Sequence, residues 1–344
     1  MAPGKGGYRQ INKALNICAF EDYLEGQQTV LPKLQDVKQI SPRVIRVLGQ
    51  NPGKARIMSP NLRSCDHKTV DRVSANVVCI QFTLQGTNTY IIGTGSERLI
   101  IDTGQGIPDW ADLISTTLSA EGISLSHVLL THWHGDHTGG VPDLIRMYPH
   151  LLSSIYKHTP SKSQQPIEDG QIFKVEGATI RAVHSPGHSN DHMCFILEEE
   201  QAMFTGDNVL GHGTAAVEHL GIWMKSLQEM QSHNCTKGYP AHGSVVGNLP
   251  AKIKGELAQK NRRERQVLQT LEQLKLDKRA AEGQGKGSVT VQQLVTAMYG
   301  SEIDAGLREL ALEPFMDEVL RKLAEDEKVA FEIRAGVRKW FAVV

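Results

Sequence analysis

Three imidazoles and one carboxylate are packed into His132-Trp133-His134-Gly135-Asp136-His137, directly after the apolar run Val128-Leu129-Leu130. Neutral imidazole and carboxylate oxygen are the donors that hold divalent cations of intermediate softness. Where a strand runs into a tight loop, alternate residues point the same way. His132 and His134 can then aim at one ion, while the following turn swings Asp136 and His137 toward a second. The chain has 14 histidines, and a lone His-x-His in such a chain is more often surface or satisfied core than a ligand. The stretch therefore needs partners. Three stand in suitable settings: His188 in Ser185-Pro186-Gly187-His188-Ser189, Asp207 in Phe204-Thr205-Gly206-Asp207, and His242 in Pro240-Ala241-His242-Gly243. Each follows a short apolar or β-prone run and adjoins Gly, the mark of a loop at a strand end.

Two ions held about 3.5–4 Å apart bring the pKa of a shared water toward neutrality and polarise a substrate oxygen. Asp136 and Asp207 can orient that water, and Asp136 can pass its proton on. The chemistry is hydrolysis, and neither a G-x-G-x-x-G after a strand nor a Walker loop points to a nucleotide cofactor. A thiolate, whose conjugate acid has a pKa near 8.5, departs without protonation, so a thioester needs only hydroxide and a Lewis acid. An amide or alkoxide needs an acid nearby, and no extra His or Lys cluster adjoins these residues in the sequence.

The order H-x-H-x-D-H, then H, D and H, resembles the metallo-β-lactamase superfamily at all seven positions. That resemblance implies an α/β fold, an αββα sandwich. It implies two divalent ions, with His132, His134 and His188 holding the first, Asp136, His137 and His242 the second, and Asp207 bridging. Zn2+ is the default metal, and Mn2+ or Fe2+ suit the same donors. Asp102, in Asp102-Thr103-Gly104, either supports the metal loop by accepting from a ligand histidine or caps a turn. His192 is either a similar support or structural; His184 is read as structural, and His212 and His219 as pocket wall or surface.

Further stretches narrow the resemblance. Gly86-Thr87-Asn88-Thr89-Tyr90, the run from Thr205 to Gly213 and Arg263-Glu264-Arg265-Gln266 are similar to the lactamase-β-like 2 group. Within it the chain looks like the fungal acyl-carrier-protein thioesterases of aromatic polyketide clusters. The implied function is release of an aromatic polyketide of the atrochrysone carboxylic acid type from the acyl carrier domain of a non-reducing polyketide synthase. Other members of the group cut single-stranded RNA, so an endoribonuclease is the alternative. It would require a basic track, for which Arg262, Arg263 and Arg265 are the cluster at hand, diluted by Glu264. A binding protein with a vestigial site is disfavoured, because no ligand type is missing.

The elements that must position these residues have room to form. At 344 residues the chain can bury a large core and carry a smaller appendage. A formal net charge of -1 exerts no global pull on nucleic acid or anionic membrane. Five cysteines without a C-x-x-C leave an odd thiol, which fits a reducing compartment. No run of about eighteen apolar residues predicts a membrane span, and Glu21, Asp22 and Glu25 argue against a transit peptide. The expected location is the cytoplasm.

Along the chain, residues 1–36 read as a packing arm and 37–250 as the catalytic domain. Strands are predicted around 44–48, 89–92, 98–101, 125–130, 173–175, 179–183, 193–197 and 202–204, with helices at 110–118 and 141–147. Residues 55–81 lack a clean period and interrupt the fold; they are either a surface loop or the translation of an unspliced intron. Residues 251–344 form a separate appendage. It begins with a long amphipathic helix over 252–275, passes a Gly-rich linker at 283–287, and ends in helices at 291–298 and 314–325 and a hairpin around Gly336. This order looks like a winged helix. The acids Glu318, Glu325, Asp326 and Glu327 would repel a phosphate backbone, which favours a lid or substrate wall over a DNA reader.

Overall fold

The computed structural model describes residues 31–52, 83–161, 163–283, 285–303 and 305–343. The predicted arm lies outside these residues except for 31–36, and the predicted insertion at 55–81 lies outside them entirely. By contact density the chain divides into two compact units. Among the described residues, one comprises those up to Val217 with Lys225–Ile253; the other comprises those of Glu218–Met224 and Lys254–Val344.

The first unit is built on two sheets. The larger runs in the order β1 (Val37–Ser41), β2 (Val44–Leu48), β3 (Asn88–Ile92), β4 (Glu97–Ile101), then, beyond helix α1 (Pro108–Glu121), β5 (Ser124–Leu129). After the short α2 (Gly135–Thr138) and α3 (Val141–Met147), β6 (Ile155–Lys157) and β7 (Gln165–Pro166) complete its edge. β1 to β4 pair antiparallel, and β4 to β7 parallel. The smaller sheet holds β8 (Ile172–Val175), β9 (Ala178–His184), β10 (Met193–Leu197) and β11 (Ala202–Gly206). Helix α4 (Leu220–Ser232) then leads to β12 (Lys237–Pro240), which joins β11 in parallel.

Strand periodicity explains how the layers stack. In the larger sheet Val44, Tyr90, Ile92, Leu99, Ile101 and Leu129 face one way and meet Phe173, Ile180, Phe195, Leu197 and Phe204 of the smaller sheet. The alternate residues Ile45, Val47, Ile91, Ile100 and Val128 face the other way, onto Trp110, Ile114 and Leu118 of α1 and Leu144 of α3. With both faces covered, β2, β3, β10 and β11 are buried throughout, and β10 reads as a continuous apolar run. α1 starts with Pro at its first turn and stops at Gly122, which takes φ 61° and donates to the carbonyls of Leu118 and Ser119.

The second unit contains most of α5 (Leu249–Glu282), then α6 (Val291–Tyr299), α7 (Glu313–Glu325) and the hairpin β13 (Val329–Arg334) and β14 (Val337–Ala342). A capping box opens α6: Gln293 N–H donates to Thr290 Oγ1, and Thr290 N–H donates to Gln293 Oε1. The Arg263-Glu264 pair is absorbed in packing here. Glu264 accepts from Lys322 Nζ at 2.7 Å, and the Arg263 guanidinium lies over the rings of Tyr299 and Phe315.

Candidate metal centre

Every residue singled out for metal chemistry follows the C-terminal end of a strand. The segment 131–137 leaves β5, His188 lies in the loop after β9, Asp207 follows β11 and His242 follows β12. Two ties across the sandwich bring these ends together. Met193 N–H at the start of β10 donates to Thr131 O at 2.7 Å, joining the smaller sheet to the β5 loop. Asn88 N–H at the start of β3 donates to Ala241 O, and Thr87 pairs with His242, joining the larger sheet to the β12 loop. All seven side chains converge, and none is more than 8% exposed.

They form two groups, each with its donor atoms within 4.8 Å of one another: His132, His134, His188 and Asp207, and Asp136, His137 and His242. In the first, His132 Nε2, His134 Nδ1 and His188 Nε2 form a triangle with edges of 2.8, 3.0 and 3.2 Å. The far sides of two rings are committed. His188 Nδ1–H donates to Ala216 O at 2.6 Å. Thr131 Oγ1 donates to Asp102 Oδ2 at 2.8 Å, so its oxygen is left to accept from His132 Nδ1–H at 3.0 Å. Both rings therefore turn an Nε2 lone pair toward the triangle. Burial, reinforced by neighbouring imidazoles, holds the His132 pKa well below the ordinary value and pushes His134 down to about 3. These are neutral rings, the form that ligates.

The second group sets imidazoles against carboxylates. His242 Nε2 lies 3.3 Å from Asp136 Oδ2 and 3.2 Å from Asp207 Oδ1. His137 Nε2 lies 3.4 Å from Asp136 Oδ2 and 3.5 Å from Asp207 Oδ1. Asp207 turns its other oxygen the opposite way, with Oδ2 3.5 Å from His188 Nε2, and so faces both groups. Burial disfavours charge on His242, yet the carboxylates of Asp207 and Asp136 outweigh it and push its pKa up to about 9. His137 is raised well above its ordinary value for the same reason, with Asp102 adding to the pull. Burial would raise the Asp136 carboxyl; His137 and His242 override it and hold it well below the usual range.

This donor set fits divalent cations. A tetrahedral ion with bonds of about 2.0–2.1 Å separates its ligands by about 3.3 Å, close to the spacings here. His137 Nε2 and Asp207 Oδ1 are buried with no hydrogen-bond partner, a costly state unless a cation satisfies them.

The supporting residues are now visible. Asp102 accepts from Thr131 N–H, Thr131 Oγ1 and His137 Nδ1–H, each at 2.8 Å, and it is 1% exposed. His192 accepts the Asp207 N–H through Nε2 at 3.0 Å. Gly206 allows that approach, because at φ 49° a Cβ there would lie 2.4 Å from His192 Nε2. His184 instead bonds Asn190 O and stacks on His158 at 4.1 Å, outside both groups, and neither His212 nor His219 belongs to them.

Three supports carry no signal as isolated letters in a sequence. Thr131 links Asp102 to His132 through one hydroxyl. Asn88 donates to both Pro240 O and Gly243 O, and Tyr90 to Pro240 O, clamping the His242 loop. Lys157 of β6 pairs with Asp191 at 2.8 Å, and Asp191 accepts from Ser189 Oγ beside His188. The described cysteines are no rivals for nucleophilic chemistry: burial pushes Cys194 up to about 12 and Cys235 up to about 11.

Comparison with known proteins agrees with this geometry. Residues 82–242 match the model of the metallo-beta-lactamase superfamily. A beta-lactamase domain protein from Burkholderia ambifaria superposes with a TM-score of 0.65 over 91% of this chain and 95% of that one, at 16% identity. The chain belongs to the metallo-β-lactamase superfamily. Among its relatives, "Atrochrysone carboxyl ACP thioesterase dmxR1" of Cryptosporiopsis sp. is 73% identical over all of this chain and 98% of its own length. "Lactamase-like protein notP" of Aspergillus sp. is 69% identical, over 99% of each chain. "Atrochrysone carboxyl ACP thioesterase" of Aspergillus fumigatus is 65% identical over 98% of this chain and 79% of that protein.

Proposed function

We propose that this chain is a metal-dependent thioesterase. It hydrolyses the thioester between an aromatic polyketide acyl group, of the atrochrysone carboxylic acid type, and the acyl carrier domain of a non-reducing polyketide synthase. The observation that carries the reading is the pair of buried His/Asp groups sharing Asp207, in a chain 73% identical over its whole length to a protein named for that activity.

His132, His134 and His188 would hold one divalent ion, Asp136, His137 and His242 a second, and Asp207 would serve both, with Zn2+ the expected metal and Mn2+ also suited to the donors. When bound, the ions supply Lewis acidity toward the thioester carbonyl and make water acidic enough to yield hydroxide at neutral pH. The residues do the rest. Asp136 is held ionised by His137 and His242, so it can hold the attacking water and take its proton. Asp102 and Thr131 fix the tautomers of His137 and His132 from behind. No general acid is needed, because a phosphopantetheine thiolate is a competent leaving group. The cytoplasm is the proposed location; no described helix is long and apolar enough to cross a membrane.

The test is reconstitution. Zinc-loaded protein is incubated with a synthase whose carrier domain bears a labelled chain. Release of the labelled acid well above the chelator-treated control is expected. Equal release with and without metal would sink the reading.

A further inference from the structure

We infer that Trp133 is the substrate-binding residue that selects for a flat, fused-ring acyl group. The inference deepens the thioesterase reading and rests on it for the identity of the thioester. Of the four tryptophans, Trp110, Trp223 and Trp340 are at most 2% exposed, whereas Trp133 is 54% exposed. It stands between His132 and His134, which are buried. Its ring packs against the His134 imidazole, centroids 4.5 Å apart and planes at 70°.

The least buried of the seven clustered residues are His134, Asp207 and Asp136, at 8, 8 and 6% exposure. The next residue but one, Gly135, has nothing within 4 Å of where a Cβ would stand, so the loop has open space two residues from the indole. An acyl group whose carbonyl reaches the first cluster comes up to His134, and so within reach of the indole packed on it. An exposed indole offers a large, rigid, flat surface, and rings of a fused aromatic system gain from stacking on it beyond the area they bury. A short aliphatic acyl group gains little. Exposing this surface to water has a cost that substrate contact would offset.

The experiment compares wild-type, W133A and W133F holoenzyme on N-acetylcysteamine thioesters of anthracene-2-carboxylic acid and of acetic acid. Zinc content is measured for each variant. The ratio of kcat/KM for the anthracene thioester over the acetyl thioester is expected to fall about tenfold in W133A, through KM, and to recover in part in W133F. In parallel, anthracene-2-carboxylate is titrated calorimetrically into each holoenzyme, and its Kd is expected to rise about tenfold in W133A. Equal slowing of both thioesters, with or without metal loss, would mean that Trp133 only packs His134 and would overturn the proposal. So would an unchanged ratio with an unchanged Kd. A wild type that hydrolyses neither thioester would bring down the thioesterase reading, while the calorimetric arm would still decide the role of the indole.

Discussion

At the scale of single residues, the site works by assigning each lone pair and proton a partner, and the residues that do so are separable by mutation. Asp102 accepts three hydrogen bonds at once. Asn at this position keeps the shape but sets an amide N–H2 against donors, so Asp102→Asn is expected to weaken metal affinity about 10–100-fold. Competition against a chromophoric chelator reads this directly, and an unchanged affinity would remove Asp102 from the support of the ligands. Lys157 and Asp191 are both 5% exposed and pair with each other. Lys157→Met strands a buried carboxylate under the His188 loop, and about 3–5 kcal/mol of stability should be lost. Lys157→Met with Asp191→Leu should regain most of it. Urea unfolding of chelator-treated protein measures both, and a single-variant cost near that of a surface substitution would refute the account.

At the scale of elements, the site depends on strand ends being held at fixed separations by close backbone contacts. Gly140, just before α3, is among the tightest of these: a Cβ there would lie 2.1 Å from Thr103 O and 2.4 Å from the Trp110 ring. Neither neighbour can move, since Thr103 also donates to His137 O and Trp110 is wholly buried. Gly140→Ala is expected to cost about 1–3 kcal/mol or more, whereas Gly135→Ala, with open space around it, should stay within about 0.5 kcal/mol. Thermal unfolding of the pair checks this, and equal shifts would show that packing at Gly140 is not limiting. The strands with strong apolar runs, such as Met193–Leu197 and Asn88–Ile92, could be read from sequence to within a residue. Val37–Ser41, Ile155–Lys157 and Lys237–Pro240 could not. The first is a half-polar edge, the second is three residues long, and the third is interrupted by Gly and Pro; pairing with neighbours, not pattern, makes them strands. The helix expected over 252–275 runs from Leu249, with Pro250 in its first turn, to Glu282, because good helix formers continue beyond 275 until Gly283 stops it.

At the scale of the whole molecule, ions bound between two sheets are expected to hold them together as well as to serve chemistry. Without cations the site buries Asp136, His137, Asp207 and His242 against one another. Withdrawal of metal by a chelator should therefore lower Tm, and added Zn2+ should restore it. A ligand at 100 times its Kd contributes about 2.7 kcal/mol per site. Calorimetry with and without chelator measures the shift, and an identical Tm would mean that the two groups do not take up metal in the folded state.

The donor types, the strand that feeds His132 and the glycines beside His188, Asp207 and His242 are local features, and local sequence was enough to mark them. Their meeting is not local. His132 and His242 are carried by different sheets, and they come together only because Met193 and Asn88 tie those sheets across the site. The same holds for the two faces of Asp207, the contact of His192 with its backbone and the service of Thr131, Asn88 and Lys157. Each depends on which strand end lies opposite which, and sheet packing sets that distance, whereas the order of residues along one strand does not.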